Sequence, residues 1–335
     1  ELLASDLPDA PELSGELVRY FPSALRERLG PQIPTHPLRR EIIATSITNN
    51  IVNRGGISFV STMRARTGCA APEIARAYLI VREIFDLPQL WAEIEALDGT
   101  APARVQSEML IEISLVVEHA AIWLLQHRRL DITPERGRLG PSVSALSGSI
   151  AELLPPRDRD IVAARSLHFS SAGVPDALAA RIGAMAFLEP ALDIAELAQS
   201  TTQPLDRIAK VYYRAGERFA LDQMRAAARG LPAETQWQKL AAEAVLDDLW
   251  TLQGDLARRI LESDQASAAD PTAAWAAARA AELDTAEAVA RELGASAGPD
   301  LALLIVAARR LRQALARTIG VAPSPTAAPS AADNG

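Results

Sequence analysis

The sequence predicts an all-α fold: a multi-helix array of two related helical units followed by long C-terminal helices. Three observations carry that expectation. Ala, Leu, Arg and Glu, all strong helix formers, fill long stretches of the 335 residues. Aromatic residues make up only 4% of the chain, and runs rich in β-branched side chains are few, so strands have little to be built from. A segment of helical periodicity also recurs at a constant offset of 134 residues, as set out below.

In chain order, residues 1–14 are rich in Pro, Asp and Ser and read as a connector. A short helix follows from Gly15 and breaks near Pro22. Pro37 suits the first turn of the next helix, with Thr35 or His36 as its cap. That helix should end at Gly55-Gly56, where a non-helical backbone costs least. Helices at about 57–66, 72–86, 88–97 and 102–128 complete a first unit, residues 15–130. Residues 131–149 hold Pro134, Gly137, Gly140, Pro141 and Gly148 and read as a connection with short helical pieces. The second unit, 150–319, should hold helices near 150–170, 175–187, 190–199 and 204–229. Longer ones are expected at about 233–263, 271–293 and 299–318. Asp270-Pro271 is an N-cap followed by a first-turn proline. The tail, 320–335, has the composition of a disordered segment.

The echo pairs Thr67 with Thr201, Ile74 with Ile208, Ala75 with Ala209, Tyr78 with Tyr212, Glu83 with Glu217, Phe85 with Phe219 and Leu87 with Leu221. Average residue usage would give about one or two such matches by chance in this window. Similar helical units with matching core positions explain it, and such a plan points to a scaffold more than to a single active site.

Composition excludes several classes. A net charge of −8 gives no global attraction to nucleic acid or to an anionic membrane. No apolar run approaches the roughly 18 residues of a membrane span. The lone Cys69 rules out an intrachain disulfide framework and suits a reducing, cytoplasmic compartment. No signal peptide is visible, and the chain opens on Glu1, as expected of a segment cut from a longer polypeptide.

The search for chemistry yields no catalytic, cofactor-binding or metal-ligating set. His119 and His127 stand eight apart, too far for the i, i+4 pair of a zinc helix; His36 and His168 are isolated. Cys69 has no nearby basic cluster to activate it. Neither a dinucleotide-binding nor a P-loop glycine pattern occurs. Residues 193–219 have the outline of a helix-turn-helix whose second helix carries Arg207, Lys210, Arg214 and Arg218. An autonomous helical adaptor or DNA-binding module is therefore the alternative reading.

One stretch stands apart: residues 36–60, HPLRREIIATSITNNIVNRGGISFV. From Ile42 to Asn53 it carries no charge, yet it holds Thr45, Ser46, Thr48, Asn49, Asn50 and Asn53. On a helical wheel Leu38, Ile42 and Val52 gather on one side and Ile43, Ile47 and Ile51 on the other. Two apolar stripes predict a helix sandwiched between neighbours, with Asn49 buried among Leu38, Ile42 and Val52. Asn and Thr supply no acid, base or strong nucleophile. The candidate is therefore a structural or interdomain polar cluster: Arg39, Arg40, Thr45, Asn49, Asn50, Asn53 and Arg54.

The same stretch resembles a region near the C-terminal end of the large bacterial NAD-specific glutamate dehydrogenases. The resemblance rests on HPLRREII at 36–43, Thr45, Asn49, VNRGG at 52–56 and Phe59. ARAYLIVREIFDLPQLWAEIEALD, 75–98, and GVPDALAARIGAMAFLEPALDIAELA, 173–198, resemble later blocks of that family. The likeness covers roughly residues 15–320. It implies a helical, non-catalytic segment of a long enzyme of amino-acid catabolism. NAD would then be a cofactor of the parent and not of this segment. It also implies that the partner is the catalytic core of the same polypeptide, in a homo-oligomer, with neither nucleic acid nor membrane bound.

Overall fold

A computed structural model describes residues 1–127, 129–232, 235–295 and 300–317. Among them the protein is all-helical: seventeen α-helices and five short 3-10 turns, with no strand. The chain divides into two compact units, Glu1–Ser200 and Thr201 onward.

The first unit holds α1 (Ser14–Tyr20), α2 (Ser23–Leu29), α3 (Arg39–Gly55), α4 (Phe59–Thr67), α5 (Ala71–Ile84), α6 (Leu87–Glu95) and α7 (Ala103–Gln126). It continues with α8 (Ile132–Leu153), α9 (Pro156–Ser171), α10 (Asp176–Gly183) and α11 (Ala191–Ser200). Helix α5 is its axis. Ile74, Tyr78, Ile80 and Val81 are buried on several sides, because α7 and α8 pack along the helix while α4 and α6 flank its ends. Its start is fixed by the Glu73 carboxylate, which accepts from the Ala70 N–H at 2.8 Å. Helix α3 stops at the glycine pair as expected. Gly56 adopts φ 86°, and its N–H closes back on the Val52 carbonyl.

Two sequence expectations are corrected in this unit. Residues 1–14 are no free connector: they form three 3-10 turns, and Leu7 and Leu13 are buried. Their apolar side chains give the segment something to bury, which its Pro-rich composition hid. Nor is 131–149 a connection, for it is most of helix α8. Ile132, Leu139, Val143, Leu146, Ile150 and Leu153 recur at helical spacing and are buried, with α5 and α11 packed against the helix. That buried stripe outweighs the cost of Gly137, Gly140, Gly148 and Pro141 in a helix interior. The helix expected near 150–170 breaks at Leu154-Pro155, before α9.

The second unit holds α12 (Leu205–Arg218), α13 (Leu221–Gly230), α14 (Gln236–Glu262), α15 (Pro271–Ala277), α16 (Ala280–Ala295) and α17 (Leu301–Arg317). Helix α14 is the spine against which α12, α13 and α17 pack. A capping box opens it: Thr235 accepts from the Gln238 N–H while its own N–H donates to the Gln238 side chain. Asp270 caps α15 as expected, accepting from the Ala273 N–H at 3.0 Å. The single helices expected at 204–229 and 271–293 are each two. The tail 320–335 lies outside the described residues.

The sequence echo is also an echo of local structure. Helices α5 and α12 are both 14 residues long. Ile74 and Ile208, Tyr78 and Tyr212, and Leu87 and Leu221 are all fully buried. Asp86 and Ala220, also 134 apart, are the two non-glycine residues with positive φ among the described residues, at 50° and 52°. Each turns the chain sharply into the next helix. One position differs in kind. Arg82 in α5 corresponds to Gly216 in α12, where the vacated space is filled by Gln253 from α14.

Candidate functional site

The polar cluster of α3 is built on one buried face and one open face. Ile43, Ala44, Ile47 and Ile51 are buried. The opposite stripe is not: Leu38 is 55% and Val52 40% exposed, and Asn49 is exposed with them. The expectation of a sandwiched helix with a buried Asn49 is thereby overturned. Only one of the two apolar stripes is buried, that of Ile43, Ile47 and Ile51.

The seven candidate residues divide accordingly. Arg39 donates to Asp9 at 3.0 Å. Arg40 pairs with the same carboxylate and donates to the Leu3 and Ser5 carbonyls at 2.9 and 3.1 Å. These two arginines tie the N-terminal turns to the start of α3. At the other end Arg54 pairs with Glu95 and lies 4.9 Å from the Trp91 ring centroid, a cation–π contact. Asn50 points partly inward, and its Oδ1 accepts from the Tyr78 hydroxyl at 2.6 Å. Thr45, Asn49 and Asn53 are exposed. The structure therefore brings four of the seven into internal contacts and leaves three facing outward.

Behind Asn50 lies a buried charge cluster that sequence reading missed. Glu16 of α1 accepts from Arg82 of α5 at 2.5 Å, and also from Arg19. Ser46 of α3 donates to the other oxygen of Glu16 at 3.3 Å. Glu83 accepts from Arg82 at 3.2 Å, and Arg136 reaches Glu83 at 3.2 Å. Burial by itself would favour the neutral acid. The Arg82 and Arg19 guanidiniums outweigh it and hold the Glu16 carboxyl below the usual carboxylate range. Burial likewise disfavours the Arg82 charge, yet its hydrogen bond to Glu16 and the charges of Glu16 and Glu83 hold its pKa above the usual value. Burial pushes the Tyr78 hydroxyl above the usual phenol range, against the opposing charges of Arg82 and Arg54, so it remains a donor to Asn50. The signal available in sequence was Arg82 itself, an arginine inside the apolar run ARAYLIVREIF.

The open face of α3 borders a groove of ≈ 440 Å³. Leu2 and Leu3 form one wall, Thr45, Thr48, Asn49 and Val52 another, and Val60, Ala71 and Ala75 contribute to its lining. The Thr48 hydroxyl donates to the Ala44 carbonyl at 2.8 Å. The groove offers apolar surface and uncharged hydrogen-bonding groups, an arrangement suited to binding and packing, not to acid–base chemistry.

The remaining candidates for chemistry are engaged locally. His127 stacks on Trp123 with ring centroids 4.0 Å apart, and its Nδ1 lies 2.7 Å from the Trp123 carbonyl. His168 Nε2 lies 2.9 Å from Glu108. His36 accepts from the Leu38 N–H, and Cys69 is buried. Among the described residues no three His, Cys, Asp or Glu side chains are grouped to hold a metal ion.

A family described as "Glutamate dehydrogenase, C-terminal" matches residues 1–313. The chain belongs to that family. The match includes the N-terminal turns that the resemblance read from sequence alone had left out. Three relatives named NAD-specific glutamate dehydrogenase agree with the membership. That of Pseudomonas aeruginosa is 33% identical over 92% of this chain and 19% of its own length. That of Halomonas elongata is 34% identical over 79% of this chain and 16% of its own length. That of Mycobacterium tuberculosis is 31% identical over 96% of this chain and 20% of its own length. This member of the C-terminal family thus spans a fifth or less of the relatives it matches.

The alternative DNA-binding reading gains no support. Its two helices, α11 and α12, fall in different compact units. The basic side chains of α12 are occupied. Arg207 donates to the Ala266 and Ala268 carbonyls, Arg214 to Asp270 at 2.6 Å and Arg218 to Glu287 at 2.5 Å. Lys210 stands 3.9 Å from Asp206. Among the described residues no helix is long and apolar enough to cross a membrane.

Proposed function

We propose that this chain is the C-terminal helical region of a polypeptide that oxidises L-glutamate with NAD+ and water to 2-oxoglutarate, ammonium and NADH. The region itself works by packing on the dehydrogenase core, supporting subunit assembly or transmitting regulation. The single observation that carries this reading is the family match over 1–313 in a chain that spans no more than a fifth of its relatives. A dinucleotide fold needs parallel strands around a glycine-rich turn, whereas the described residues are helices joined by turns and loops. On this reading NAD is a ligand of the core. The partners are that core and, in a homo-oligomer, further copies, in the cytoplasm. The outward residues of α3 are the interdomain part of the polar cluster, and Arg39, Arg40, Asn50 and Arg54 its structural part.

Calorimetric titration of this chain with NAD tests the division of labour, with no heat of binding expected. A micromolar Kd would overturn it. Removal of residues 1–313 from the full polypeptide should lower its specific activity or change its assembly in size-exclusion chromatography. Unchanged activity and size would end the supporting role.

A further inference from the structure

We infer that the open face of α3, together with its groove, docks an uncharged segment of the dehydrogenase part of the same polypeptide. This rests on the reading of the chain as the C-terminal region of that enzyme.

The face has the composition of a contact surface rather than of a solvated one. A helix that faces water normally presents charge there, and α3 presents none from Ile42 to Asn53. Instead it shows Leu38 and Val52, 55% and 40% exposed, with Ile57 91% exposed just past its end. Thr45, Asn49 and Asn53 stand exposed alongside them, with hydroxyl and amide groups able to pair with a neighbouring backbone. An apolar centre with neutral hydrogen-bonding groups and few charges is the pattern of an interface core.

The arginines nearby are already committed to this unit. Arg40 is held by Asp9 and Arg54 by Glu95, while Arg64 pairs with Glu1 at the groove mouth at 2.5 Å. An acidic partner would therefore meet no unpaired arginine among these, and a neutral one leaves the exposed Glu41, near the start of the helix, at the polar rim. The occupant follows from size. Four-fifths or more of each relative lies outside the matched stretch, so a large body of the same polypeptide is on hand to cover the face. Tethering keeps that body at high effective concentration.

The test uses the full polypeptide carrying Asn49→Cys, or Gln89→Cys on the exposed side of α6 as control, treated with a maleimide and read by peptide mass spectrometry. Asn49→Cys should react at least about tenfold more slowly than Gln89→Cys, because a docked interface excludes water. A benzophenone-maleimide placed at Asn49→Cys should cross-link to peptides of the dehydrogenase part of the same molecule. Equal labelling at the two sites overturns the proposal, as do cross-links confined to this chain or to a second copy. Asn49→Arg in the full polypeptide supplies an independent arm: limited proteolysis should release this region several-fold faster than from the wild type, and an unchanged rate would refute docking. If removal of residues 1–313 abolishes assembly while Asn49→Cys labels freely, the supporting role stands and this face is not its surface.

Discussion

Tyr78 of α5 donates its hydroxyl proton to Oδ1 of Asn50, at 2.6 Å, and the bond joins the central helix of the first unit to the inner edge of α3. The Tyr78 ring is fully buried and makes a T-shaped contact with the Phe59 ring at a centroid distance of 5.8 Å. The polar tip thus orients α3 on the core, while the ring contributes the packing.

Tyr78→Phe removes the donor and keeps the ring. A loss of about 0.5–1.5 kcal/mol is expected, since partly exposed Asn50 can turn to water. Tyr78→Ala should cost about 3–5 kcal/mol by opening a cavity. Urea melts of the two variants separate the tip from the ring; equal losses would contradict the assignment.

Asn49→Leu should melt within about 0.5 kcal/mol of wild type, as exposed substitutions do. Sequence alone predicts the opposite, with Asn49 buried among Leu38, Ile42 and Val52. A drop of several degrees in the Tm of the isolated chain would return it there.

The buried Glu16–Arg82 pair makes the first unit acid-sensitive. Because the folded-state pKa of Glu16 is depressed, its contribution is fully present above its unfolded value of 4.5 and is lost as pH falls through the lower folded value. Glu16→Gln should cost about 3–5 kcal/mol near neutrality by leaving Arg82 without its main partner. It should also flatten the decline of Tm on the acid side. Differential scanning calorimetry from about pH 3 to pH 7 spans the window; parallel wild-type and variant curves would discredit the pair as the acid-labile element.

Two glycines of the second unit should respond with opposite signs. A Cβ at Gly216 would sit 2.5 Å from Gln253 Nε2, whose amide donates to the Tyr212 carbonyl at 2.8 Å and whose Oε1 accepts from Arg225 at 2.6 Å. Gly216→Ala should therefore destabilise by about 1–3 kcal/mol. Gly254, within α14, has open space at the same place, and Gly254→Ala should stabilise by about 0.8–1 kcal/mol through helix propensity. Thermal denaturation of the pair decides; like signs would reject the local picture.

Sequence reading succeeded where periodicity and end signals agreed. The all-helical class, the end of α3 at Gly55-Gly56, the cap at Asp270 and most helices of the first unit were legible for that reason. It failed where tertiary burial outweighed local chemistry. In α8 the stripe from Ile132 to Leu153 overrides three glycines and an interior proline that look like a loop. The helix breaks after Phe85 and Phe219 rest on single residues in left-handed conformation, and no glycine marks either one. In the candidate cluster the residue types were found, but the side they face was not. A wheel cannot say which of two apolar stripes meets the core, and Glu16, the acid that anchors Arg82, lies 66 residues away in sequence.

The turn made by Asp86 and again by Ala220 shows what a corner between helices needs. The same left-handed bend is made once with an acid and once with a methyl, and neither time with glycine. What the two places share is the pair on either side, Phe85-x-Leu87 and Phe219-x-Leu221, with both leucines fully buried. The anchors on either side hold the corner, and the side chain at its apex is left open to exchange.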